Sequence, residues 1–242
     1  QHPNPNINTL PQPNDQPNPK PEKAKKPPQT AKRTYSQQSR FTDNELFNQV
    51  IADENKSIVL NKKFPITPSD LIMDAEYEIH YENTEKSVPK GRPNIDSIYI
   101  NPMTTIWAAI SLHEKYPNDS ICLLNFADAF KCGGGYLNGR MAQEETLCRQ
   151  TLLYPTLEKN DMYSINKADK NNVYLYDTMI YSPDVFVIRD DSYEMLGEKS
   201  FKVNIISAPA VDKRIKNSRW DMDKIMQRRI KKIILLAAYK KN

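Results

Sequence analysis

The sequence predicts an α/β fold, a mixed sheet between helix layers, preceded by a disordered N-terminal tail. Three observations carry this. The run "ICLLNF" (121–126) is apolar throughout rather than alternating, which suits a strand covered on both faces. "DVFVIRD" (184–190) and "KVNIISAP" (202–209) are β-branched segments of strand length. Between and after these stretches lie segments whose apolar residues recur at helical spacing, and strands alternating with helices build layered α/β domains.

Order is expected to begin near Phe41. "TDNE" has the shape of a capping box, Thr42 with Glu45, ahead of apolar Leu46, Phe47, Val50 and Ile51. "SIVL" (57–60) and "DSIYI" (96–100) read as short strands, with a Pro- and charge-rich loop and one extended piece between them. "TTIWAAISLHEKY" (104–116) places Ile106, Ala109, Ile110 and His113 on one helix face. A helix is expected from Ala142 to Leu157. The last element, 222–241, is a helix with Ile225, Met226, Arg229, Ile230, Ile233, Ile234 and Ala237 along one stripe.

The chain divides by composition. Residues 1–33 hold nine of the eighteen prolines and almost no large apolar side chain, too little to offset the entropy of ordering them. They carry six Lys/Arg against two Asp/Glu, an excess equal to the net +4 of all 242 residues. The expected layout is a tail at 1–40 and one folded domain at 41–242. Such a tail reads as a solvated linker or secretion-type leader, or as a weak attractor for anionic surfaces. The remainder is charge-balanced, which argues against a nucleic-acid groove. No apolar run approaches the roughly 20 residues that cross a bilayer. Cys122, Cys132 and Cys148, odd in number and each in or near an apolar run, read as buried free thiols in a reducing compartment. They and the scattered His2, His80 and His113 make no metal set, and no cofactor is implied.

The candidate site is "LNFADAFKCGGGYLNGRMAQEETLCRQTLLY" (124–154). The chain has six glycines, and four fall between Gly133 and Gly139. Bare backbone after a strand can offer N–H groups to phosphate or sugar oxygens at the carboxyl edge of a sheet, or it can form a simple tight turn. Glu144 and Glu145 follow. First-turn acids also favour the helix dipole, and Glu145 with Arg149 has (i, i+4) spacing, so a purely structural reading stands beside a catalytic one. In the catalytic one, adjacent helical residues point about 100° apart and take different jobs: one protonates a leaving oxygen, the other holds a hydroxyl.

The triple glycine, seven residues, then "QEE", together with "YSPDVFVIRDD" and "IISAPAVDKR" in that order, resembles the microbial-type poly(ADP-ribose) glycohydrolase family of macrodomains, over about residues 96–238. The resemblance implies a macrodomain fold, a cleft for ADP-ribose, and hydrolysis of ADP-ribose O-glycosidic linkages in the polymer or on modified protein. It implies that Glu145 is the general acid and that Glu144 holds the ribose hydroxyls. Gly133, Gly134 and Gly135 would wrap the diphosphate and terminal ribose. Asn125, Asp128, Gln143, Ser207 and Ala208 would bind substrate, with the strand end to Val211 along the cleft. As an acid Glu145 needs a partly buried setting, for which Leu137, Met141 and Leu147 are candidates. No metal is implied.

Three departures bear on this. Cys132 stands where the family commonly has proline before the glycines. Thr104 falls where an aspartate is expected to accept from the adenine amino group. No glycine follows Gly197, so the family's further strand and second glycine loop are expected either to be missing or to lie outside this sequence. Two other readings therefore stay open, a reader that binds ADP-ribose without hydrolysis and a scaffold in which the tail does the work. The expected partner is ADP-ribose or an ADP-ribosylated protein, met by a monomer with no membrane or direct nucleic-acid contact. The cytoplasm, or host cytosol for a bacterial effector, is the expected location; the low-glycine, Asn/Lys-rich composition and proline-rich leader suit such an effector.

Overall fold

A computed structural model of the chain describes residues 43–72, 98–168, 177–211 and 221–240. Chain contacts divide it into Gln1–Ser39 and Arg40–Asn242, and every described residue belongs to the second unit. The elements run α1 (Asp43–Leu60), β1 (Asp70–Ile72), α2 (Thr105–Lys115), β2 (Cys122–Asn125), α3 (Gln143–Gln150), α4 (Tyr154–Leu157), α5 (Met162–Ala168), β3 (Met179–Val187), β4 (Phe201–Ser207) and α6 (Met222–Tyr239).

The sheet has the order β1-β3-β4-β2, with β2 parallel to β4 and the other pairings antiparallel. It is a mixed sheet, as the sequence predicts. Side chains alternate across it. Leu123, Ile180, Val203 and Ile205 enter one core with Ala52 of α1, Ile106 and Ala109 of α2 and Leu147 of α3. Leu124, Met179, Tyr181 and Ile206 face the other way, against Ile233, Leu236 and Ala237 of α6. Helices thus cover both faces.

The helix at 104–116 forms because the Thr104 hydroxyl accepts from the Trp107 N–H at 3.0 Å and caps it. That hydroxyl also donates to Asp191 Oδ2 at 2.6 Å, tying the cap to the loop after β3. His113 stacks on Phe201 at 4.2 Å, a helix-face residue as expected.

Several expectations need correction. "SIVL" (57–60) is the last turn of α1, not a strand. Ile51, Ala52 and Asn55 are buried at helical spacing and hold the segment helical against its β-branched propensity. Of "DSIYI", residues 98–100 have no regular secondary structure and lie outside the sheet, with Ile100 94% exposed; 96 and 97 lie outside the described residues, as does Thr42 of the capping box. The helix predicted from Ala142 to Leu157 breaks at Thr151. There Leu152 N–H donates to Phe186 O at 2.9 Å and Thr151 bridges Val187, so β3 captures the backbone before Pro155. On α6 the buried stripe is Ile225, Arg229, Lys232 and Leu236, while Ile230 and Ile234 face outward. Its polar members clamp a carboxylate: Arg229 Nε is 3.2 Å from Asp177 Oδ1 and Lys232 Nζ 3.0 Å from Oδ2. Finally, Cys148 is buried, Cys132 half-buried and Cys122 exposed, so only one of the three thiols is fully enclosed. Among the described residues no helix is long and apolar enough to cross a membrane, and no cluster of metal-ligating side chains occurs.

Candidate active site

The parallel pair β2–β4 ends with Asn125 opposite Ser207. Beyond β2 the chain turns on Asp128, whose Oδ1 accepts from the N–H groups of Phe130 (2.7 Å) and Lys131 (2.8 Å). It then enters the glycine loop and returns through a 3-10 turn (Tyr136–Asn138) to the start of α3. A cleft of about 660 Å³ opens here. Phe126, Asp128, Lys131, Gly134, Gly135 and Arg140 line it, with Glu144 and Glu145 among them.

Gln143 locks the two halves of the site together. Its Nε2 donates to Leu124 O at 2.7 Å and its Oε1 accepts from Phe126 N–H at 2.9 Å, so the amide pairs with the strand end as a neighbouring peptide would. That hold fixes the first turn of α3 and the next two residues. Glu145 Oε1 accepts from Gly135 N–H at 2.7 Å. Glu144 Oε2 accepts from Asp128 N–H at 2.8 Å, and its Oε1 lies 3.3 Å from Asn125 Nδ2, which also reaches Ser207 Oγ at 3.0 Å. The two carboxyls are 4% and 8% exposed, deep for acids.

The glycines acquire a specific reason. A Cβ at Gly134 would lie 2.6 Å from Glu145 Oε1 and 3.1 Å from Glu144 Oε2, so the bare backbone makes room for the acids. The loop's own N–H groups are largely occupied: that of Gly134 donates to Lys131 O at 3.0 Å and that of Gly135 to Glu145. Gly133 turns inward, where a Cβ would meet the Tyr154 ring.

Burial pushes the Glu144 carboxyl up to about 7, while the Asp128 N–H and Asn125 amide pull against it and the Glu145 and Asp128 charges add to it. Unfolded, this group loses its proton near 4.5; folded, it keeps it to about 7. Stability therefore falls as pH climbs from 4.5 to 7 and levels off above, by on the order of 3 kcal/mol from this residue. Glu144→Gln is expected to flatten that decline between pH 5 and pH 8 in urea unfolding; an unchanged slope would assign it to other groups.

Asp128, Gly134, Gly135, Gln143, Glu144 and Glu145 thus gather around one cleft, although the Gln143 amide is engaged at both ends by main chain. Asn125, Ser207 and Ala208 are fully enclosed beneath it, and Asn125 Oδ1 has no partner there. Pro209 O accepts from Arg229 Nη1 at 2.6 Å, which holds the β4 end to α6 instead of lining the cleft. No Glu145–Arg149 pair forms. The buried Arg149 donates through Nη1 to Arg140 O at 2.8 Å and supports the loop. Of the residues expected to shield Glu145, Leu147 is buried, whereas Leu137 and Met141 are exposed. Sequence reasoning missed Lys131 and Arg140, two cations bracketing the glycine run and lining the cleft; their placement beside the only glycine cluster was the available signal.

An α/β domain with a cleft at its strand ends and two adjacent buried carboxyls has the equipment of a glycoside-cleaving enzyme. Residues 30–190 match the family model described as microbial-type PARG, catalytic domain, and the chain belongs to that family of poly(ADP-ribose) glycohydrolases. Among solved structures it is similar to poly(ADP-ribose) glycohydrolase from Thermomonospora curvata bound to the inhibitor ADP-HPD, with 25% identity and a TM-score of 0.65 over 81% of this chain and 76% of that one. It is also similar to the enzyme from Deinococcus radiodurans in complex with ADP-ribose, at 29% identity and TM-score 0.58, covering 71% and 68%. No curated protein sequence matches the chain.

Proposed function

We propose that this protein hydrolyses ADP-ribose O-glycosidic linkages, releasing ADP-ribose from poly(ADP-ribose) or from ADP-ribosylated protein, with Glu145 as general acid and Glu144 as the group that holds the substrate ribose. The observation that carries the reading is the Glu145 carboxyl, fixed at the cleft by the Gly135 N–H at 2.7 Å with Glu144 beside it. Fixing one oxygen through a backbone donor leaves the other to meet the leaving oxygen. As the glycosidic bond lengthens, electron density moves to that oxygen and Glu145 supplies its proton; water then takes the anomeric carbon and gives up a proton that restores the Glu145 carboxyl. The oxocarbenium character that develops on the ribose is stabilised by the nearby carboxylates. Glu144, anchored through Asp128 N–H and Asn125, accepts from ribose hydroxyls through its remaining lone pairs.

A diphosphate needs counter-charge, and Lys131 and Arg140 supply it. Both are exposed at the cleft and neither forms an ion pair among the described residues. We assign the proline-rich segment up to residue 40 to a tail, the last part of which, from residue 30 on, falls within the family match. We further assign the enzyme to a monomer acting in a reducing compartment, which accords with three unpaired thiols.

The test is incubation of the full chain with poly(ADP-ribose) and with an ADP-ribosylated protein, followed by chromatography of released ADP-ribose and calorimetry with ADP-ribose. Release of ADP-ribose is the expected result. Binding without release would overturn the hydrolysis and leave a reader domain; absence of both binding and release would overturn the assignment of the cleft to ADP-ribose as well.

A further inference from the structure

Helix α1 lies outside the cleft, yet it grips both halves of the site. Asn48 and Asn55 are seven residues apart, two helical turns, and therefore share a face about 10 Å long. Both are buried, at 2% and 4% exposure. Asn48 Nδ2 donates to Gly139 O at 2.9 Å, where the glycine loop ends. Asn55 Nδ2 donates to Arg149 O at 2.9 Å and lies 3.3 Å from Cys148 O, in the last turn of the helix that carries the acids. These carbonyls need outside donors: helix-end C=O groups have no intrahelical partner, and a buried unsatisfied acceptor is costly. Asn55 is held in turn, since its Oδ1 accepts from Arg189 Nε at 3.3 Å and Arg189 pairs with Glu54 Oε2 at 2.9 Å. At the other end, Gly139 abuts the backbone of Glu45 so closely that no side chain fits between them.

We infer that α1 is a two-point splint, and that Asn48 and Asn55 are positioning residues for the reaction. They fix the spacing between loop and acid helix, and so the Gly135 N–H against the Glu145 carboxyl. This rests on the proposed hydrolysis. Without the Asn48 donor the loop's exit is free to shift, and shifts of that kind are costly, since a displacement of about 1 Å from productive geometry loses roughly a hundredfold in rate.

The experiment compares the full-length chain with Asn48→Leu, which keeps the branched outline and removes the donor, and with Asn48→Ser, which shortens the donor without adding apolar bulk. Two readouts are taken: kcat and KM for ADP-ribose release, and amide hydrogen exchange at Gly135 referred to Ile205 in the sheet. The expected result is kcat about 10- to 100-fold lower with KM within about threefold, and faster exchange at Gly135 with Ile205 unchanged. A merely structural role would speed both amides together and leave kcat per folded molecule unchanged, and that result overturns the splint, as does unaltered Gly135 exchange. If the wild type releases no ADP-ribose, the hydrolysis proposal falls, and the exchange data still decide whether α1 holds the loop.

Discussion

Glu145→Gln is expected to lower release of ADP-ribose about a thousandfold while leaving its binding within a few fold, because general acid catalysis is typically worth 10²–10⁴. The substitution is well controlled by the geometry. A glutamine Oε1 still accepts from the Gly135 N–H, so the loop keeps the hold seen at 2.7 Å and only the transferable proton is lost. The amide has the same volume, and the neighbouring Gly134, whose Cα faces both acids, meets no new bulk. Turnover and calorimetry on the same preparation check this. Turnover within tenfold of wild type would remove Glu145 from the acid's role, and lost binding would make it a substrate anchor instead.

Gly139→Ala is expected to be the most damaging loop substitution for stability. Gly139 ends the 3-10 turn at φ +74°, a conformation that costs an L-residue about 1–2 kcal/mol. A methyl there would also fall inside contact distance of the Glu45 carbonyl oxygen, and backbone cannot rotate away as a side chain can. Overpacking of this kind adds about 1–3 kcal/mol, so a total loss near 3 kcal/mol is expected, read as a lower urea midpoint with an unchanged m-value. Gly197→Ala is the control. Its φ is +57° but nothing lies within 4 Å of the added methyl, so it carries the backbone penalty alone. Equal losses at the two positions would mean that α1 does not press on the loop as the structure has it.

The sequence was most legible where the signal is local. β4 and α6 declare themselves through a β-branched run and a long helical pattern, and Thr104 caps its helix within three residues. Short elements were not: β1 has three residues and no pattern, and "SIVL" reads as strand until the buried face of α1 is known. The site divides in the same way. That glycines and acids belong together was implied by the family resemblance, since the residues alone allowed a tight turn and a helix-dipole pair as well. Why they do was not, because the partner of the Gly135 N–H lies ten residues on and the burial of Glu144 depends on Asn125, nineteen residues back. The splint was further from reach still, since Asn48 and Gly139 are 91 residues apart.

The central claim is that the acid pair beside the glycine loop is where the ribose linkage is broken. A crystal structure of the Glu145→Gln chain with a short poly(ADP-ribose) oligomer tests it most directly. The account predicts a ribose seated between the loop and α3, its glycosidic oxygen within hydrogen-bond reach of residue 145 and its hydroxyls on Glu144. An oligomer bound elsewhere on the molecule, with this cleft empty at saturating ligand, would contradict it.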